Sequence, residues 1–302
     1  MSVAVRADLL VRRSPLAVAR DYVALTKPRV IVLLEITTVA AMVMAARGWP
    51  DWGVMVATVV GGWLAASGAN AINCWFDRDI DADMNRTRTR PLPTGRIEPG
   101  HALIFGAGLA VASFLLLSTT VNVLAAALAM SALLFYVFVY TMWLKRSSAQ
   151  NIVIGGAAGA IPPLVGWAAV TGHIDLTAVF LFAIVFYWTP PHFWALALLV
   201  RGDYARAHVP MLPVVLGDRE TRQQILLYTV VLCLVTLLPV LTRSFGAIYI
   251  GGAGALDALL LVDAARVRSD STARSARRLF HHSLAYLALL FAVMALDRVV
   301  LR

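Results

Sequence analysis

The sequence predicts an all-α polytopic membrane protein with nine transmembrane helices, and three observations predict it. Of the 302 residues, 60% are hydrophobic and only 14% charged, against roughly 45–50% apolar and about 25% charged in soluble domains; the mean hydropathy is +0.77. Apolar runs of helical length fall at 28–46, 52–73, 102–119, 121–144, 152–171, 176–200, 223–242, 245–265 and 279–298, each close to the about 20 residues that cross a hydrocarbon core. None alternates with period two, as barrel strands do, and a helix satisfies its backbone groups within one segment. Nine spans leave no room for a separate soluble domain.

Charge placement orients the bundle. Taking residues 1–27 as a cytoplasmic tail and 28–302 as the membrane domain, six Lys and Arg lie at 6–29, five at 78–96, two at 145–146, four at 201–222 and five at 266–278. That puts 22 of the 26 basic residues on one side and leaves Arg47, Arg243, Arg298 and Arg302 on the other. Lys and Arg collect in cytoplasmic loops, so the N-terminus is expected inside and the C-terminus outside, in a bacterial plasma membrane. The net charge of +9 then reads as orientation in a lipid bilayer, with no nucleic acid partner. The N-terminus lacks an apolar core before Pro28 and a small-residue cleavage site, so no signal peptide is expected. Cys74 and Cys233 have no metal-ligand spacing and no expected disulfide.

The connections are asymmetric too. Outer ones, such as Arg47 to Asp51 and Gly172 to Asp175, are short, whereas the inner segments 77–101 and 201–222 are long and rich in Pro, Gly, Arg and Asp. Long loops in a compact fold are usually functional or disordered, and fixed chemistry in place of Ser/Gly filler favours function. A weak repeat links them: Arg90-Pro91-Leu92-Pro93-Thr94-Gly95 and Val209-Pro210-Met211-Leu212-Pro213 lie four spans apart. Such repeats tend to place a site between their halves.

At the inner end of the second span, Asn73, Asp77 and Asp81 fall at i, i+4 and i+8. On a continuous helix they face one way, about 6 Å apart along the axis. Such oxygen ligands suit Mg²⁺, which takes one or two carboxylates and completes its shell with water and phosphate oxygens. Arg86 and Arg90 follow, with guanidinium forks that match phosphate bidentately. Together they fit a metal diphosphate; the alternative is a solvated loop whose charges neutralise one another, and the spacing at a membrane boundary favours the site. Asp203 offers a second acid and Arg206 another anion contact. Lys145 and Arg146 either reach the same anion or serve only as positive-inside charge.

Trp188-Thr189-Pro190-Pro191-His192-Phe193-Trp194 is expected to break the sixth span, and Ile161-Pro162-Pro163 the fifth, because proline removes intrahelical hydrogen bonds. Both breaks are candidates for a cavity wall, with packing kinks as the alternative. His192, within an apolar span, is the best histidine for a substrate contact. Glu35, Asp257 and Asp263 either face the cavity or pair with inner arginines.

The motif Asn73-x-x-x-Asp77-x-x-x-Asp81 with Arg86-Thr87-x-x-Arg90-Pro91, on nine spans, resembles the UbiA superfamily of intramembrane prenyltransferases. Thr26-Lys27-Pro28-Arg29, Gly155-Gly156-x-x-Gly159-x-Ile161-Pro162-Pro163, Trp188-Thr189-Pro190-Pro191-His192-Phe193-Trp194 and Asp203-Tyr204-x-x-Ala207-x-Val209-Pro210 are similar to its haem-farnesylating branch. The resemblance covers about residues 22 to 298. It implies a bundle around a central cavity, Mg²⁺ as cofactor, and farnesyl diphosphate and haem B (protohaem IX) as substrates, with haem O as product. Carried onto this chain, Asn73, Asp77 and Asp81 hold the metal diphosphate, Arg86, Arg90 and Lys145 contact the anion, Asp203 stands in a second acidic motif, and His192 contacts haem. Trp75, Tyr187, Trp188 and Trp194 are candidates to guard a cationic intermediate. Partners implied are a haem A synthase or an oxidase assembly protein. One departure is that Asp203 stands alone where many superfamily members carry a second DxxxD-like motif. A sibling enzyme acting on an aromatic quinone precursor is the nearest alternative. A haem or lipid transporter is the remote one, since the acids crowd one face and no P-loop is present.

Overall fold

Proline and polar caps punctuate the chain into helices throughout. The structure, a computed structural model, describes residues 14–301; Arg6, Arg12, Arg13 and Arg302 of the charge count lie outside them. A first helix, α1 (Pro15–Thr26), starts from a Ser14 cap and a proline and ends at Lys27, whose φ of 52° turns the chain into α2 (Pro28–Ala46). Residues 15–26 of the region expected as a tail are therefore helical. Next come α3 (Trp52–Phe76), the short α4 (Arg78–Asp83), α5 (Pro99–Thr120), α6 (Val123–Ser147), α7 (Asn151–Thr171) and α8 (Leu176–Leu199). Two short helices, α9 (Arg201–Arg206) and α10 (Leu212–Val215), lead to α11 (Gly217–Leu241), α12 (Ala247–Asp270) and α13 (Ala273–Val300). Among the described residues nine helices are long and apolar enough to cross a membrane, and no strand occurs.

Each expected run has its helix, but α11 and α13 begin several residues earlier than hydropathy marks, and α12 ends later. The α11 extension carries polar residues such as Glu220, which accepts a hydrogen bond of 2.8 Å from Gln224 one turn on. The second long inner segment consequently ends at Gly217 and not at 222. The expected break in the sixth span is absent: α8 runs continuously through Pro190 and Pro191. Residues 188–192 are all buried, and packing of this kind supports a helix where proline removes its bonds. The fifth span does break, at Ile161, before a second helical segment starts on Pro162.

Consecutive long helices pack on one another, and the ring closes where α13 meets α2; α7 also packs along α2, and α13 along α8. Hydrocarbon gives no hydrophobic drive for this association, so close backbone approach must supply it. Gly68 of α3 and Gly106 of α5 face each other, and a Cβ on Gly68 would stand 2.7 Å from the Gly106 carbonyl oxygen. Between α7 and α2 the fit is tighter still: a Cβ on Gly166 would meet the Thr38 carbonyl oxygen at 2.2 Å. Large apolar side chains such as Ile104, Leu115, Leu234 and Leu259 remain on the outside for lipid.

The Gly166 contact is against backbone, which cannot swing away. Gly166→Ala should destabilise the protein by about 1–3 kcal/mol or more, read as a lowered midpoint of thermal unfolding in detergent. Gly159→Ala, where an added Cβ meets nothing within 4 Å, should leave the midpoint unchanged.

Candidate active site

At one end of the bundle a continuous network of charge is assembled from four parts of the chain. Asn73 lies one turn inside the end of α3. Asp77 caps that helix at φ −83° and ψ 6°, and α4 resumes at once. The helical hydrogen bonds pass through the break, Asp77 N donating to Asn73 O at 2.9 Å and Asp81 N to Asp77 O at 2.8 Å. This keeps the i, i+4, i+8 ladder nearly intact, with all three side chains buried.

Asn73 is held from three sides. Its Oδ1 accepts from Lys27 Nζ at 2.7 Å, and its Nδ2 donates to Asp77 Oδ2 at 2.8 Å and to Thr141 Oγ1 at 3.0 Å. Lys145 Nζ donates to Asp77 Oδ2. Arg146 lies 3.6 Å from Asp77 Oδ1 and grips Asp79 with two bonds of 2.6 and 2.7 Å. That hydrogen-bonded guanidinium holds the Asp79 carboxyl down at about 2. Arg90 NH1 donates to Asp81 Oδ2 at 2.7 Å, and Thr87 Oγ1 donates to Asp81 O at 2.8 Å. Burial alone would lower the Arg90 pKa, but the charge and hydrogen bond of Asp81 outweigh it and raise it.

The winding of α6 delivers its share. Residues Phe135–Leu144 form a π-helical stretch, a rarity that concentrates at functional sites. At 100° per residue, Tyr136 and Lys145 would sit about 180° apart on an α-helix. The slower π winding turns Tyr136, Tyr140, Thr141 and Lys145 toward one face. Tyr136 is in electrostatic range of Asp77, Lys145 and Arg90, and Tyr140 of Asp77, Arg86 and Tyr204. Both rings remain partly accessible.

The second long inner segment closes on the first. Arg86 N donates to Asp203 Oδ2 at 3.4 Å, Arg86 NH2 donates to the Tyr204 hydroxyl at 3.2 Å, and its guanidinium lies 5.5 Å above the Tyr204 ring. Arg206 pairs with Asp203. The weak repeat has a structural counterpart, since each long helix ends in a one-residue break, Asp77 or Val200, followed by a six-residue helix. The second arm thus carries Val200 where the first carries a carboxylate.

The remaining candidates are scattered. His192 is buried, its ring sandwiched between Trp188 at 4.4 Å and Phe280 at 4.7 Å, with Nδ1 2.8 Å from Ser283 Oγ. Trp188 Nε1 donates to Ser283 O at 2.8 Å, while Tyr187 and Trp194 pack against Tyr228. Asp263 pairs with Arg278 at 3.0 Å and His282 at 2.5 Å, the arginine-paired alternative. Asp257 accepts hydroxyl bonds of 2.6 Å from both Thr236 and Tyr286. Glu35 Oε2 has no hydrogen-bond partner among the described residues, and its carboxyl faces Gly62. Both cysteines are free. Lys27, Thr141, Tyr136, Tyr140 and Tyr204 were not singled out from the sequence; only Lys27 and Tyr204 lay in quoted motifs, and the tyrosines' i, i+4 spacing on α6 was the remaining signal.

A metal site can be tested on this geometry. Among the described residues no three His, Cys, Asp or Glu side chains surround one position, so a closed protein cage is not built. Asp77 Oδ1, however, is buried without a hydrogen-bond partner, with Arg146 NH2 3.6 Å away, and Asp81 follows one turn on. That donor set fits an ion such as Mg²⁺ that shares its shell with a phosphate ligand.

Residues 34–290 match the UbiA prenyltransferase family. The chain belongs to that family. UbiA relatives named protoheme IX farnesyltransferase include one from Gloeobacter violaceus, 53% identical over 286 residues, which cover 94% of each chain. Another, from Roseiflexus sp. (strain RS-1), is 53% identical over 281 residues, 93% of this chain and 53% of that protein. The chain therefore spans about half the length of several relatives it matches. Solved structures share the UbiA fold: a digeranylgeranylglyceryl phosphate synthase with TM-score 0.77 at 19% identity, covering 93% of this chain and 99% of that one. A UbiA homologue from Archaeoglobus fulgidus bound to DMAPP and Mg²⁺ has TM-score 0.67 at 14% identity, covering 91% and 99%.

The pairing of Asp77 with Lys145 can be probed apart from any turnover. Removing one partner of a buried pair strands the other, so Lys145→Met should cost roughly 3 kcal/mol of stability. Adding Asp77→Leu should recover most of that loss, a coupling read from a double-mutant cycle of thermal unfolding.

Proposed function

We propose that the protein transfers the farnesyl group of farnesyl diphosphate to a vinyl group of protohaem IX, with addition of water, yielding haem O and diphosphate. The observation that carries the reading is the buried aspartate ladder, each acid paired with a cation, at one mouth of a chain matched end to end by a relative named for this transfer. Asp77, Asp81 and Asn73 would hold Mg²⁺ at that mouth, and the ion would stabilise negative charge on the departing diphosphate. Lys145, Arg90 and Arg86 stand ready for the same oxygens, since the pairs they now make with acids and Tyr204 can be exchanged for phosphate bonds. The inner segments 77–98 and 201–216 would cover the mouth, where Asp203 accepts from the backbone N–H of Arg86.

The reaction balances as follows. The C1–O bond of the prenyl donor breaks, and its electron pair leaves with diphosphate. The vinyl π pair forms the new carbon–carbon bond to C1, and water adds to the resulting cation and loses a proton. Preorganised cations do the largest part of such work in a site screened from bulk water. Tyr136 and Tyr140, both in electrostatic range of Asp77, would stabilise an allylic cation formed there. His192, whose Nδ1 lies 2.8 Å from Ser283 Oγ, would offer Nε2 to haem iron.

The same reading sets the aspartate face toward the cytoplasm of a bacterial plasma membrane, with the C-terminus outside, on the strength of the basic residues gathered there. A haem A synthase or oxidase assembly protein would receive the product.

Asp77→Asn and Asp81→Asn should each lower haem O formation in membranes by about 100-fold or more at limiting Mg²⁺; near-normal turnover removes the metal assignment. His192→Ala should change the spectrum of haem titrated into the purified protein, and an unchanged titration removes His192 from the haem site. Prenylation of 4-hydroxybenzoate with none of protohaem would point to the quinone-precursor sibling.

A further inference from the structure

The face away from the aspartates holds a charged cavity that the reaction does not use. Of the four basic residues expected there, three meet in one pocket of about 260 Å³ and the fourth, Arg302, lies outside the described residues. Arg47 follows α2, Arg243 follows α11, and Arg298 belongs to the last turn of α13. Basic residues are depleted on this face of a membrane protein, so their convergence calls for a cause.

For Arg243 and Arg298 the neighbouring acids do not supply it. Arg47 and Arg243 both have positive φ, 50° and 54°, where glycine or asparagine would sit at lower cost. The two nearby carboxylates cap helices. Asp297 accepts from Gly246 N at 2.7 Å and Tyr249 N at 3.0 Å at the start of α12, and Asp175 accepts from Ala178 N at 3.0 Å at the start of α8. Among the described residues neither Arg243 nor Arg298 forms an ion pair with any carboxylate. Arg298 gives one N–H to Ser244 O at 3.1 Å, lies 5.7 Å over the Phe245 ring, and has a buried Nε without a partner. Arg47 is close enough to repel it.

We propose that this pocket binds the phosphate of an anionic lipid headgroup in the leaflet away from the aspartates. Guanidinium forks match phosphate oxygens, and an anion relieves the mutual repulsion of the arginines. The setting favours a lipid over free phosphate. The pocket sits at the ends of transmembrane helices, with Phe245 and Leu301 in its wall, and Leu241 nearby is 77% exposed for acyl chains. Bound there, the headgroup bridges α2 to α11 and α13, across the seam where the ring of helices closes.

The test is native mass spectrometry of the full chain taken from phosphatidylcholine nanodiscs containing a minority of phosphatidylglycerol, with titration of the anionic lipid. Wild type should retain one phosphatidylglycerol more than Arg243→Gln/Arg298→Gln, which should bind it about tenfold more weakly. Arg268→Gln, an exposed cation at the aspartate end, should match wild type. Arg243→Gln alone, which removes no side-chain hydrogen bond seen here, should show a smaller loss in the same direction and serves if the double variant does not fold. Millimolar inorganic phosphate should neither compete nor protect. Equal retention by wild type and the arginine variants overturns the proposal, as does full replacement of the lipid by inorganic phosphate.

Discussion

A carboxylate at the edge of a hydrocarbon core must be paired, and Asp77 is paired from two directions. Lys145 meets it from α6, and Lys27, at the junction of α1 and α2, reaches it through Asn73. Much of the mouth depends on this arrangement. It requires α3 to continue helical bonding through a one-residue break, α6 to wind as a π-helix so that Lys145 faces inward, and Lys27 to take a left-handed conformation between two helices. Buried ion pairs are weak stabilisers and strong specifiers of geometry only where their hydrogen bonds are complete. Here every carboxylate of the network is paired, and the buried atoms left without a hydrogen bond are Asp77 Oδ1 and Arg146 Nε.

The fold around the mouth follows a different logic. Apolar surface gives no advantage between helices in lipid, so the contacts that draw α3 to α5 and α7 to α2 rest on absent side chains at Gly68, Gly106 and Gly166. Polar residues deeper in the bundle are tied to hydroxyls or backbone, as Asp257 is by Thr236 and Tyr286 and Asp297 by the first amides of α12.

The number and order of the membrane-spanning helices were legible because hydrophobic runs near 20 residues have no other economical conformation in a membrane. The aspartate ladder was legible because i, i+4 spacing survives a single-residue break. The continuity of α8 was not legible: proline weakens a helix locally, but buried neighbours on several sides support it, and those neighbours are distant in sequence. The roles of Lys27, Thr141 and the α6 tyrosines were hidden for a related reason. A π-helical stretch shifts side-chain direction without any mark in composition, and a lysine 46 residues from its partner carries no periodic signal. Asp203 was legible as an acid, whereas its bond to the backbone of Arg86 depends on two loops 117 residues apart meeting.

The most direct test of the central claim, that this mouth prenylates haem, is mass spectrometry of haems extracted from cells with and without the protein. The account predicts a haem heavier than protohaem by one farnesyl group and one hydroxyl group, present only when the intact chain is expressed. Unmodified protohaem alone in both samples, with farnesyl diphosphate and haem available, would contradict it.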